Sequence, residues 1–211
     1  MTNYHVVKNI ILSEEEHNTD KSLRSASASN ESILRFDFKI LANTLNKGTE
    51  YRLDQDWLID KSSDVTKNQL PQPDKLDYAL LRVDGEPGNK PIGASTEGSV
   101  KRGWIEIPTN AHEFKINQAL FILQHPLGEP LKLAFDLDVI KDIDPSGTLI
   151  KYRTNTDYGS SGSPCFDSNW NLVALHHTGS PSYNAGTPVN AIVKLLDQRN
   201  ILEKILSRQP I

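Results

Sequence analysis

Gly159-Ser160-Ser161-Gly162-Ser163-Pro164 decides how this chain is read. A serine flanked by glycines, with a small residue and a proline behind it, suits an exposed nucleophile. Glycine lets the backbone turn tightly and lets a substrate carbonyl approach main-chain N–H groups. An alcohol is a poor nucleophile at neutral pH and needs a base within hydrogen-bond reach. Two upstream stretches supply partners. Thr2-Asn3-Tyr4-His5-Val6-Val7 carries an imidazole, which titrates near neutrality. Leu76-Asp77-Tyr78-Ala79-Leu80-Leu81 carries a carboxylate at the entrance to an apolar run. Asp74 and Asp84 lie nearby, but only Asp77 stands directly before that run. The expected roles are Ser161 as nucleophile, His5 as proton shuttle and Asp77 as the group that orients the imidazole. The N–H groups of Gly159 and Ser161 are expected to hold a developing oxyanion.

Five segments in order carry a resemblance. They are TNYHVV (2–7), LDYALLRV (76–83), FILQHPLGEPLKL (121–133), YRTNTDYGSSGSPCFD (152–167) and LVALHHTG (172–179). Together, with the order His…Asp…Ser, they resemble chymotrypsin-fold serine proteases. The nearest branches are the glutamyl endopeptidases and the trypsin-like peptidase domains of bacterial multidomain proteins. The resemblance implies an all-β fold: a double six-stranded β-barrel of the chymotrypsin type with a C-terminal helix. It divides the chain into a first half-barrel over about 1–103, a second over about 104–190 and a helix over about 191–207. It implies a serine endopeptidase that works through an acyl-enzyme on a protein or peptide substrate, as part of a larger bacterial protein. In the resembled family, strands of the first barrel precede the histidine; here the histidine is residue 5, so those strands are expected to be missing. A start assigned too late, a fragment of a longer polypeptide and a real truncation all fit that position.

The resemblance also marks pocket positions. The residue that is aspartate in trypsin falls on Asn155, so a pocket for Arg or Lys is not supported. Glutamyl endopeptidases carry a threonine five residues before the nucleophile and a histidine fifteen after it; here these are Thr156 and His176. A hydroxyl and an imidazole can both donate to a carboxylate or a carboxamide. The implied preference before the scissile bond is Glu, with Gln or Asp as second choices, although Asp157 adds a neighbouring negative charge. Ser160 stands where trypsin-like zymogens carry the aspartate that receives a new N-terminus, so activation by that route is not expected.

Composition narrows the alternatives. The 211 residues suit one domain, or two half-barrels acting as one, and the net charge is −4 without a basic run, so nucleic acid is not an expected partner. No apolar stretch reaches membrane-spanning length, and no membrane partner is expected. Cys165 is the single cysteine, which forbids an intrachain disulfide and favours a reducing, cytoplasmic location. It reads as a small buried residue. No His/Cys/Asp/Glu grouping has metal-site spacing and no glycine loop fits a phosphate, so neither metal nor cofactor is expected. His177 reads as a structural or rim residue and His125 as part of a turn; His17 and His112 sit in polar stretches. Strands are expected over 33–40, 49–59, 76–83, 104–107, 119–124, 131–140, 148–153, 164–167 and 172–177. A short helical turn is expected over 5–9 and an amphipathic helix over 189–206. Two other readings use the same residues: an inactive protease-like binding module, and an esterase or other acyl-transfer hydrolase.

Overall fold

The computed structural model describes residues 1–16, 32–64, 72–92, 100–180 and 182–207. Of the loops expected over 13–32, 61–74 and 84–103, residues 17–31, 65–71 and 93–99 lie outside the described residues. Strands dominate, as an all-β fold requires. After a helix, α1 (Tyr4–Glu16), the chain forms three antiparallel pairs. β1 (Leu34–Phe36) pairs with β4 (Thr49–Tyr51), and β2 (Lys39–Leu41) with β3 (Thr44–Asn46). β5 (Leu53–Ser62) pairs with β6 (Tyr78–Val83), and Thr2 adds a bridge to Ala79 on β6.

The strand expected over 33–40 is broken at Asp37, whose φ of 61° is left-handed. The carboxylate of Asp37 receives Arg102 Nη2 at 2.6 Å, and this ion pair, almost closed to solvent, holds the bend. The β2–β3 hairpin closes through Ala42 and Asn43 with φ of 45° and 62°, the type I′ pattern. Alanine is a poor signal for that turn, so the hairpin is invisible in the sequence. The strand expected over 104–107 does not form. Trp104 and Ile105 are exposed, and among the described residues they pair with no strand.

The later chain builds one seven-stranded antiparallel sheet. Its members are β7 (Leu120–Gln124), β8 (Lys132–Asp136), β9 (Ile140–Ile143), β10 (Ile150–Tyr152), β11 (Pro164–Phe166), β12 (Leu172–Gly179) and β13 (Asn184–Pro188). The spatial order is β8-β7-β11-β12-β13-β10-β9. Along β7, Leu120, Ile122 and Gln124 are buried and the residues between them are not, the two-residue alternation of a half-covered strand. In β12, Val173 to His176 are all buried, because the strand is central and helix-covered. β13 reads Asn-Ala-Gly-Thr-Pro, with Thr187 its one strand-forming residue; it forms because β12 and β10 flank it on both sides.

Three apolar clusters hold these parts. Ile122, Val139, Ile150, Tyr152, Cys165 and Val173 lie at the heart of the large sheet. Ile11 of α1 packs with Leu53 and Trp57 of β5, which is why α1 runs well beyond the short turn expected over 5–9. The third cluster joins the two regions. Helix α2 (Val189–Gln198) buries Val189, Ile192, Leu195 and Leu196 on one face. It meets Leu76 and Tyr78 at the start of β6 and Leu175 of β12. The helix expected over 189–206 ends early, at Asn200, whose φ of 57° makes a left-handed stop; α3 (Leu202–Leu206) resumes beyond it. Ile192 is completely buried in this joint. Ile192→Ala should lower the unfolding free energy by about 2–5 kcal/mol, read from urea denaturation at unchanged m.

Candidate active site

The hexapeptide that opened the sequence reading folds as two back-to-back turns. Ser160 N–H donates to Asp157 O at 3.1 Å, and Ser163 N–H donates to Ser160 O at 3.1 Å. Each bond closes a four-residue turn, and the third residue of each is a glycine: Gly159 at φ 87° and Gly162 at φ 83°. That is the position at which a type II turn requires positive φ. The three-residue spacing of the glycines is therefore the spacing of the turns. Ser161 sits at the second position of the second turn. A Cβ on Gly162 would come within 2.4 Å of Thr2 Oγ1, so the N-terminal segment could not lie as close against a larger residue.

Two further bonds fasten the loop to β12. Gly162 N–H donates to His176 O and His176 N–H donates to Ser163 O, both at 2.9 Å. Ser160 is fully buried, and its hydroxyl accepts from Asp157 N–H at 3.3 Å. A zymogen aspartate at that place would lie inside this turn. Among the described residues, the N–H groups of Gly159 and Ser161 have no acceptor, whereas those of Ser160, Gly162 and Ser163 are all engaged. The turn geometry thus leaves free the two amides expected to bind an oxyanion.

Asp77 lies just before β6 with φ 48°, a left-handed conformation that costs a non-glycine residue strain. Its backbone is held on both sides. Asp77 N–H donates to Ser63 O at 3.2 Å, and Asp77 O accepts from Tyr4 N–H at 3.2 Å and from Asn3 Nδ2 at 2.9 Å. Its carboxylate, 2 % exposed, meets two imidazoles. His5 Nδ1 and His177 Nδ1 each lie 2.6 Å from Oδ2, and His5 N–H donates to Oδ1 at 2.8 Å. The rings of His5 and His177 meet edge to face, 6.0 Å apart. Both Nδ1 atoms are engaged, so each ring keeps Nε2 for other partners. His177 Nε2 lies 3.8 Å from Asp64 Oδ1.

The electrostatics follow from this geometry. Burial pushes the Asp77 carboxyl up, but the hydrogen bonds from His177 and His5 outweigh it and hold the carboxyl below its usual range. The hydrogen bond to Asp77 raises the His5 pKa against the opposing effect of burial. His5, Asp77 and His177 place ligand-type atoms within 4.8 Å of one another. Separations of 2.6 Å leave room only for a shared proton. A zinc ion at about 2.0–2.2 Å from each atom would spread them farther apart, so the cluster is hydrogen-bonded rather than metal-shaped.

A cavity of about 550 Å³ opens over these groups. His5, Thr156, Gly159, Ser161, His176 and His177 all line it, together with Asp64 and Asp157. Ser161 Oγ donates to the carbonyl of His177 at 3.4 Å, and no hydrogen bond joins it to His5. His176 is almost fully buried, and its Nδ1 lies 2.5 Å from the hydroxyl of Tyr152. Burial, followed by the nearby His177 and His5, pulls the His176 pKa down to about 4. Asn155 is the pocket residue that the structure does not bring to the cavity. Its side chain is exposed, and its carbonyl accepts from Gln124 Nε2 at 3.0 Å. His177 is the residue whose part the sequence reading missed, because nothing in His176-His177 shows that the second ring turns back onto Asp77. The pairing of β12 with β13 shifts register between His176 and Thr178, so both rings face the cavity, and that irregularity leaves no mark in the local sequence.

The chain belongs to the trypsin-like peptidase family: residues 1–175 match the family described as Trypsin-like peptidase domain. It is 29% identical over 138 residues to the glutamyl endopeptidase of Staphylococcus epidermidis, covering 65% of this chain and 46% of that protein. The chain therefore spans less than half the length of that relative. Two solved structures are similar. That of Deg5 has a TM-score of 0.47 at 18% identity over 92% of this chain and 74% of that one. That of a Glu endopeptidase in complex with MPD has a TM-score of 0.44 at 19% identity over 72% of this chain and 64% of that one.

His177→Ala should leave Asp77 with one imidazole partner. Losing a hydrogen bond to a buried carboxylate costs about 1.5–3 kcal/mol of stability. With the carboxylate charge no longer shared, His5 should hold its proton to a higher pH, which an NMR titration of the His5 ring reads directly.

Proposed function

We propose that this chain is the catalytic domain of a serine endopeptidase that cleaves peptide bonds through an acyl-enzyme. The observation that carries the reading is the His5–Asp77 hydrogen bond, which leaves His5 Nε2 free beside the cavity that Ser161 also lines. In this reading Ser161 Oγ rotates away from the His177 carbonyl, gives its proton to His5 Nε2 and attacks the substrate carbonyl. Asp77 holds His5 in the Nδ1–H tautomer and stabilises the imidazolium. The free amides of Gly159 and Ser161 receive the oxyanion, and His5 then returns its proton to the leaving amine. Thr156 and His176 line the part of the cavity where a side chain of the Glu, Gln or Asp class would enter. The substrate is a protein or peptide, and the domain acts within a larger polypeptide.

A second reading rests on the bond from Ser161 Oγ to the His177 carbonyl. A serine that stays there is not activated, and the domain is then a protease-like binding module. A fluorophosphonate probe separates the two. The first reading expects one adduct in the intact mass of the wild-type chain and none on Ser161→Ala. Folded protein that takes up no label supports the second.

The pH profile gives a further check. The base must be unprotonated, and the Asp77 hydrogen bond raises the pKa of His5. Labelling should therefore fall off on the acid side with a midpoint above the usual histidine value of about 6.5. Asp77→Asn removes the charge and the tautomer control and should slow labelling by a factor on the order of 10⁴.

A further inference from the structure

His176 forms a buried part of the cavity wall. The imidazole stands on β12 with its Nδ1 against the Tyr152 hydroxyl from β10. That hydroxyl also reaches Ala185 O on β13 at 3.2 Å, and Cys165 Sγ on β11 lies 3.9 Å away. Burial raises the Tyr152 hydroxyl well above its usual value and pushes the Cys165 thiol up to about 12, so neither supplies a charge near neutrality. The other titratable groups that face His176 are His177 on the same strand and His5 from α1. Asp64 and Asp157 also line the cavity, and among the described residues its lining includes no lysine or arginine.

A side chain reaching His176 therefore meets a neutral ring backed by a hydroxyl, with His177 and His5 as the nearby titratable groups. If Tyr152 donates to Ala185 O, it accepts from His176 Nδ1–H, and Nε2 is left as an acceptor. If Tyr152 donates to Nδ1 instead, Nε2 carries the proton. A carboxamide has both a donor and an acceptor and can pair with the ring in either state. A carboxylate pairs in only one state, and among the described lining residues no lysine or arginine offsets its charge.

We propose that the Tyr152–His176 pair selects an uncharged carboxamide, so the preferred residue before the scissile bond is Gln rather than Glu. This rests on the serine endopeptidase reading and reverses the order that the glutamyl endopeptidase resemblance implies. Tyr152 acts through His176 and is a positioning residue. Glu enters more readily when its own carboxyl is protonated.

Peptide substrates identical except for Gln or Glu before the cleaved bond test the reading in the wild-type chain. At pH 7.5 the Gln peptide should have the higher kcat/KM by about tenfold or more, carried mainly by KM. At pH 5.5 the gap should narrow, because a growing share of Glu is neutral. Tyr152→Phe keeps the ring volume and removes the hydroxyl. The Gln/Glu ratio should then fall towards one, and the ¹⁵N shifts of the His176 ring should show a mixture of tautomers. An unchanged ratio in Tyr152→Phe would remove Tyr152 from the assignment.

A binding arm keeps the pocket separate from the chemistry. Ser161→Ala is titrated calorimetrically with C-terminally amidated peptides ending in Gln or Glu. Tighter binding of the Gln peptide supports the inference. Equal or tighter binding of the Glu peptide at pH 7.5 overturns it, as does binding of neither at millimolar concentration. Selective Gln binding without fluorophosphonate labelling would leave the pocket standing and sink the endopeptidase reading instead.

Discussion

One buried carboxylate organises the functional end of this molecule. Asp77 sits at the junction of the strand pair β5–β6 with α1, and its backbone and side chain together take up hydrogen bonds from Asn3, Tyr4, His5 and His177. A charge taken out of water is costly unless donors surround it. Here the donors come from the N-terminal segment and from β12 of the large sheet. Satisfying the carboxylate therefore brings those elements together. The left-handed backbone at Asp77 is the strain the fold accepts in order to aim the side chain inward.

The Ser161 loop depends on a different constraint that meets the first at β12. Two glycine-centred turns expose Ser161, and the bonds between Gly162, Ser163 and His176 fasten them to the strand that carries both histidines. Successive residues of β12 then serve two ends. His176 closes the cavity wall with Tyr152 behind it, and His177 turns to Asp77. A single strand thus sets both the pocket and the support of the base. Helix α2 covers that strand through Leu175 and also packs on Leu76 and Tyr78, which flank Asp77 in sequence. Packing and chemistry share the same joint.

How much of this could be read beforehand depended on whether the physics was local. The Ser161 loop was legible because its glycines lie where two successive turns need positive φ. The strand entering at Asp77 and the amphipathic face of α2 were legible from periodicity. Three features depended on partners far along the chain. β13 becomes a strand through its neighbours, the extra length of α1 comes from Ile11 meeting Trp57, and residues 104–107 find no pairing partner among the described residues. His177 belongs with them: its contact with Asp77 spans 100 residues and leaves no local mark. Asn155 shows the converse. Counting back from Ser161 placed it in the pocket, but the residue is exposed and its carbonyl is the group engaged, by Gln124.

The state of Cys165 has a practical consequence. It is the chain's only cysteine, fully buried in the large sheet, with its thiol pushed up to about 12 by burial. At neutral pH it carries almost no thiolate, the form that alkylating reagents attack. Tyr158, by contrast, is 87% exposed and lines the mouth of the cavity. A thiol introduced there as Tyr158→Cys would be the one site that maleimide dyes reach. A fluorophore at that point could follow peptides arriving and leaving, and the native cysteine would not need to be removed first.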